Sequence, residues 1–165
     1  SSEGFLVNRA LLPYIYKAME VLSAGKDADM IDQSLSDFGM PMGPIELADQ
    51  IGLDVCLDAG HVLGISTVAQ RILRSKIESG NIGRKSGQGF YKWEANKAVR
   101  PRRKQDPAAM EKIVLELLEP MVIECRKAVQ EGVVDTADDV DAGMIFGTGF
   151  PSFRGGPMTW AKDKF

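Results

Sequence analysis

Residues 38–44 read Phe38-Gly39-Met40-Pro41-Met42-Gly43-Pro44, and this stretch decides the fold. Two glycines and two prolines in seven residues forbid regular structure there. Pro44 then opens Ile45-Glu46-Leu47-Ala48-Asp49, a helix with proline in its first turn, where the missing N–H has no helical partner to lose. Ahead of the break, Met30, Ile31 and Leu35 belong to a helix that Asp27 or Asp29 can cap. The unit is therefore helix, Gly/Pro break, helix.

Towards the N-terminus, Leu11, Ile15, Ala18 and Leu22 recur at spacings of four, three and four, which predicts a helix from about Leu6 to Leu22. Pro13 lies within it, so the helix starts near Leu12 or is kinked there, and Gly25 is placed to stop it. Beyond Pro44 an amphipathic stretch runs through Ile77 and ends in the turn residues Glu78 to Gly83. The glycine-rich Gly83-Arg84-Lys85-Ser86-Gly87-Gln88-Gly89-Phe90-Tyr91 follows, then a polar, basic, proline-interrupted stretch to Pro107 that reads as a solvated linker. Ile113, Leu117, Met121, Val122, Cys125 and Val129 stripe one further helix, which Gly132 stops. Asp135-Thr136-Ala137-Asp138-Asp139 supplies caps for the next. No stretch alternates with period two long enough to build a sheet, so the expected fold class is all-α.

The two ends of the chain repeat one another. Pro13 and Pro120 stand 107 positions apart, as do Gly25 and Gly132. Ile31-Asp32 answers Val140-Asp141, Met40-Pro41 answers Phe150-Pro151, Gly43-Pro44 answers Gly156-Pro157, and Ala48 answers Ala161. A match that keeps its order through long helix, glycine stop, short helix, Gly/Pro break and helix start reads as duplication. Two related helical repeats are expected: residues 4–93, a linker at 94–107, and a second, shorter repeat at 108–165.

Composition narrows the function classes. The 165 residues are 44% hydrophobic and 26% charged with a formal net charge of -3, so neither nucleic acid nor an anionic membrane surface is an expected partner. No apolar run approaches the ~20 residues that span a bilayer. Cys56 and Cys125 form no CxxC pair and read as buried thiols in a reducing compartment. One histidine, His61, rules out a His-rich metal site.

Four segments in combination carry a family resemblance. Gly4-Phe5-Leu6-Val7-Asn8-Arg9 with Leu12-Pro13-Tyr14, the Gly39–Asp49 segment with Gly52-Leu53-Asp54, and the Gly83–Tyr91 loop resemble the C-terminal domain of 3-hydroxyacyl-CoA dehydrogenases. Phe150-Pro151-Ser152-Phe153-Arg154-Gly155-Gly156 resembles the second copy of that domain in the multifunctional α-subunits of fatty-acid β-oxidation. The resemblance implies a catalytic unit in which a dinucleotide-binding α/β domain precedes this helical part. Hydride passes from C3 of an L-3-hydroxyacyl-CoA to NAD, and a His–Glu pair in the α/β domain handles the proton. It also implies an upstream enoyl-CoA hydratase domain, a thiolase subunit as partner, and a bacterial cytoplasmic, mitochondrial-matrix or peroxisomal setting. No GxGxxG follows a strand here, and Gly147-Thr148-Gly149 lacks the remaining glycine. The chain alone is therefore expected to be inactive, with no complete catalytic set, and to have been cut at both ends. A non-catalytic helical interaction module on the same scaffold is the rival reading.

Each candidate residue carries two readings. Asn8 stands where the family has a substrate-contacting asparagine, whose amide N–H would steady charge building on the C3 oxygen; alternatively it caps its helix. Lys85 matches a lysine within reach of NAD, or belongs to a basic surface turn. Met42, with Met40, walls the acyl chain by resemblance, or fills a core gap. Trp160 follows Arg154-Gly155-Gly156 where relatives carry a substrate-facing aromatic, often tyrosine, or is a core aromatic. His61 has no carboxylate partner in view and is assigned to structure.

Overall fold

The computed structural model describes residues 2–165, with side chains from Gly4 onward. The helices are α1 (Ser2–Ser23), α2 (Ala28–Phe38), α3 (Pro44–Ile51), α4 (Leu53–Leu63), α5 (Thr67–Glu78), α6 (Pro107–Gln130), α7 (Ala137–Thr148) and α8 (Pro157–Ala161). One antiparallel hairpin, β1 (Lys92–Glu94) and β2 (Lys97–Val99), precedes α6. The fold is all-α apart from that hairpin.

Three local features differ from the sequence expectations. The stretch from Pro44 to Ile77 is three helices: Gly52 at φ 108 ends α3, Gly64 ends α4, and Ser66 caps α5 by accepting from the Ala69 amide. Apolar periodicity carries on across both breaks, which is why it does not reveal them. α1 begins at Ser2 and continues through Pro13. Leu6, Ala10, Tyr14, Ile15 and Ala18 are all buried, and burial along the whole helix outweighs one lost backbone hydrogen bond. The stretch that reads as a linker instead opens with the hairpin, which begins at Lys92.

The basic run Arg100 to Lys104 is not wholly solvated. The Arg100 side chain is 2% exposed, with Nε 2.8 Å from Asp29 Oδ1 on α2. The same carboxylate accepts from the Arg103 amide at 3.1 Å. A charge run betrays its exposed members by composition, but its one buried member only by its partner.

α1 and α6 form the central pair. Ile15 and Ala18 of one and Ile113, Leu117, Met121 and Cys125 of the other are all buried. α1 also meets α7 and α3; α6 meets α2 and α8; α2 meets α3, and α7 meets α8. Exchanging α1 with α6, α2 with α7 and α3 with α8 leaves this set unchanged. The detail follows the same exchange. The Gly25 amide donates to Leu22 O and Lys26 to Val21 O; the Gly132 amide donates to Val129 O and Val133 to Ala128 O. Asp32 accepts from the Ile45 and Glu46 amides at the start of α3, at 2.8 and 2.9 Å. Asp141 accepts from the Met158 and Thr159 amides at the start of α8, at 2.7 and 3.2 Å. A Cβ on Gly43 would overlap Asp32, and one on Gly156 would overlap Asp141. Each glycine is therefore the close approach that lets a carboxylate from the preceding helix cap the next one.

No helix among the described residues is long and apolar enough to cross a membrane.

Candidate functional site

Asn8 lies six residues into α1 and cannot be its N-cap, because the helix already starts at Ser2. It is exposed, and its amide makes no hydrogen bond among the described residues. It faces an open groove of about 980 Å³ between the first turns of α1, the Gly132–Asp135 connection and the length of α7. Leu6, Val7, Gly143, Phe146 and Gly147 give the apolar walls, and Asp135 and Asp139 stand at the rim. Phe146 is 90% exposed. The walls come close because Gly147 lacks a side chain: a Cβ there would overlap Val7. Pro41 packs in the same way on Gly149, which places the Met42 turn against the end of α7. Met40 is buried among core residues, whereas Met42 is half-buried.

The glycine-rich loop closes on Asp49, not on open space. Asp49 accepts from the Phe90 and Tyr91 amides at 2.8 and 2.9 Å and from the Trp93 indole at 2.9 Å. Side chains on Gly83 or Gly89 would strike Asp49 itself. Burial pushes this carboxyl up, opposed first by the indole and then by the two amides. Two of the loop's glycines are thus explained by an internal carboxylate. Lys85 sits on the one-turn segment Arg84–Ser86, half-exposed, and its Nζ donates to Asp54 Oδ2 at 2.9 Å. That hydrogen bond holds the Asp54 carboxyl below its ordinary value.

Trp160 is partly buried on α8. Its ring meets Phe38 edge-on at 5.3 Å and Phe165 at 5.8 Å, beside a 400 Å³ depression that Arg154 and Lys164 also line. The Arg154 guanidinium lies 4.0 Å from the Phe38 ring centre. His61 is exposed in the last turn of α4. No cluster of metal-ligating side chains occurs among the described residues.

The structure does not gather Asn8, Met42, Lys85 and Trp160 into one site. Among the described residues, no hydrogen bond, ion pair or ring contact joins any two of them. Sequence reading missed the positioning roles of the buried acids Asp29, Asp32, Asp49 and Asp141. A signal for two of them was present. Gly43 and Gly156 occupy N-cap positions where a side-chain oxygen is usual, so the cap had to come from elsewhere. Burial pushes Asp32 up to about 7, against the Tyr91 hydroxyl, the Ile45 amide, Arg100 and the Glu46 amide. The Tyr14 hydroxyl is buried without a partner, and burial with the nearby Asp32 charge raises it. No nucleophile–base pair is assembled among the described residues. What the α1–α7 groove offers chemically is a free amide donor and acceptor beside apolar walls.

Residues 4–93 match the family model of the 3-hydroxyacyl-CoA dehydrogenase C-terminal domain. The chain is 35% identical over 178 aligned residues to the fatty acid oxidation complex subunit alpha of Pseudomonas aeruginosa, covering 95% of this chain and 25% of that one. It is 37% identical over 170 residues to the corresponding Vibrio cholerae protein, covering 95% and 24%. It thus spans about a quarter of the length of these relatives. Among solved structures, the dehydrogenase part of multifunctional enzyme 1 from C. elegans is similar with TM-score 0.66 and 26% identity, over 90% of this chain and 37% of that one. The 3-hydroxybutyryl-CoA dehydrogenase of Escherichia coli K12 shares the fold with TM-score 0.72 and 21% identity, over 98% and 53%.

Proposed function

We infer the function from one premise: the chain belongs to the 3-hydroxyacyl-CoA dehydrogenase C-terminal domain family. It is the substrate-closing and architectural part of an NAD-dependent L-3-hydroxyacyl-CoA dehydrogenase. Its setting is a larger chain that brings the dinucleotide-binding domain, and an enoyl-CoA hydratase domain before that. The quarter-length coverage of the relatives supports such a setting. A thiolase subunit as assembly partner rests on the family resemblance alone.

The observation that carries the reading is Asn8: exposed, without a partner among the described residues, on the wall of an open groove whose lining is part polar and part apolar. A side-chain amide held on a rigid helix can donate to the C3 oxygen as charge builds there, without adding an ionisable group. Met42 and Trp160 are substrate contacts of lesser weight, since each also packs against the chain's own residues. The chain fits NAD at one point: Lys85 on its half-exposed turn can meet a cofactor phosphate, once Asp54 gives way. Bound NAD supplies the hydride acceptor, and the proton-handling base belongs to the dinucleotide-binding domain. The repeat organisation, residues 4–93, 94–107 and 108–165, is read as a gene duplication, supported by the matched carboxylate caps and glycine stops.

NADH formation from 3-hydroxybutyryl-CoA tests the reading. The isolated chain is expected to give none, and turnover near 1 per second would refute that expectation. In the parent enzyme, Asn8→Ala is expected to lower kcat about a hundredfold, as for a lost oxyanion donor. Its stability should stay within about 0.5 kcal/mol, as for an exposed mid-helix residue. Unchanged kcat would remove Asn8 from the reaction.

A further inference from the structure

We propose that the α1–α7 groove holds the acyl chain of the substrate, and that Phe146 is the residue of the second repeat that sets chain-length preference. The proposal rests on the Asn8 reading above and extends it to the rest of the same groove.

A substrate whose C3 oxygen meets Asn8 must direct its two substituents away from that point. One is the thioester, leading to the phosphate-bearing CoA head; the other is an alkyl tail. The groove that Asn8 faces has a volume of about 980 Å³, room for a long chain. The groove is lined by polar and apolar groups in similar measure, and its apolar part comes from Leu6 and Val7 on α1 and from Gly143, Phe146 and Gly147 on α7. Asp135 and Asp139 at the rim repel phosphate, so the CoA head is excluded from this groove and the uncharged tail is admitted. Phe146 is 90% exposed, an unusual position for a phenylalanine, and burying its ring under alkyl carbons recovers that surface. Gly143 keeps the groove open. A Cβ added there meets Leu6 Cδ2 at 3.4 Å, an ordinary contact, so no backbone constraint demands glycine at this position.

The test compares kcat/KM for C4 and C16 3-hydroxyacyl-CoA in the full enzyme, where this chain is joined to its dinucleotide-binding domain. Phe146→Ala removes the wall and Gly143→Leu fills the groove. Each should lower C16 kcat/KM about tenfold, the value of roughly two buried methylenes, and leave C4 within about twofold. Phe146→Ala changes an exposed side chain and should fold as the parent, so it decides the matter if Gly143→Leu proves unstable. Equal losses for C4 and C16 would mean that the groove seats another protein segment, and would overturn the proposal. So would no change at either length. A parent that oxidises neither substrate overturns the functional reading itself, which is a different failure.

Discussion

Cys56 and Cys125 are both free and buried, and burial pushes each thiol up to about 12. At pH 8 the thiolate fraction is then on the order of one in ten thousand, and the thiolate is the reactive form. Neither cysteine is therefore a candidate nucleophile. In folded protein at pH 8, a thiol-disulfide reagent such as DTNB should release no colour within minutes. In 6 M guanidinium both thiols should react at once. Rapid reaction of one thiol in the native state would show that its helix opens far more readily than its packing implies. Asn8 is the contrasting case, a polar residue whose side chain meets no partner among the described residues. The sequence left it between a capping role and a substrate role. The position of the helix start, six residues earlier, removes the first.

Two buried acids in the first half of α2 do different work. Asp29 holds Arg100, and with it the start of the segment leading to α6. Arg100→Ala should cost about 3 kcal/mol, because it leaves a buried carboxylate unpaired. Lys104→Ala, four residues on and exposed, should stay within about 0.5 kcal/mol. Urea denaturation of both variants checks the contrast, and equal effects would contradict the buried pairing. Asp32 caps α3, and its carboxyl is pushed up to about 7 by burial. The folded chain therefore holds this proton more tightly than the unfolded chain, where the ordinary value is 3.8. Its favourable contribution is complete below about pH 4 and is lost as pH rises through 7. Asp32→Asn does not titrate, so the stability of the native protein relative to this variant should fall between pH 4.5 and pH 7.5. A constant or rising difference in urea melts would reverse the sign of the shift.

At the scale of the molecule, the α1–α6 pairing buries the stripe of Leu117, Met121 and Cys125 against the neighbours of Ile15 and Ala18. A repeat this small buries only about 60% of its unfolded surface by itself, so each repeat needs a covering surface. In the duplication we propose, that surface is supplied within the chain, as an internal pseudo-twofold in place of a dimer contact. Light scattering at micromolar concentration is expected to give the monomer mass. A dimer would mean that the exposed Phe5 and Phe146 of two copies find each other, and that the internal pairing leaves apolar surface unsatisfied.

Much of this architecture was legible in the residues themselves. Helical periodicity is local, so the stripes of α1 and α6 declare themselves within a few turns. The Gly/Pro breaks declare themselves because those two residues act through their own backbone. The paired positions of Asp32 and Asp141 were legible in the sequence as matched residues, but their matched capping of α3 and α8 was not. What lay beyond the sequence was every interaction between distant segments. Nothing near Arg100 announces Asp29, and nothing in the Gly83–Tyr91 loop announces that Asp49 occupies the space its glycines leave. The groove between α1 and α7 exists only because Val7 approaches Gly147 from across the molecule. Propensity and periodicity follow from covalent neighbours, whereas caps, buried ion pairs and grooves depend on which helices meet. Only the packed tertiary structure decides that.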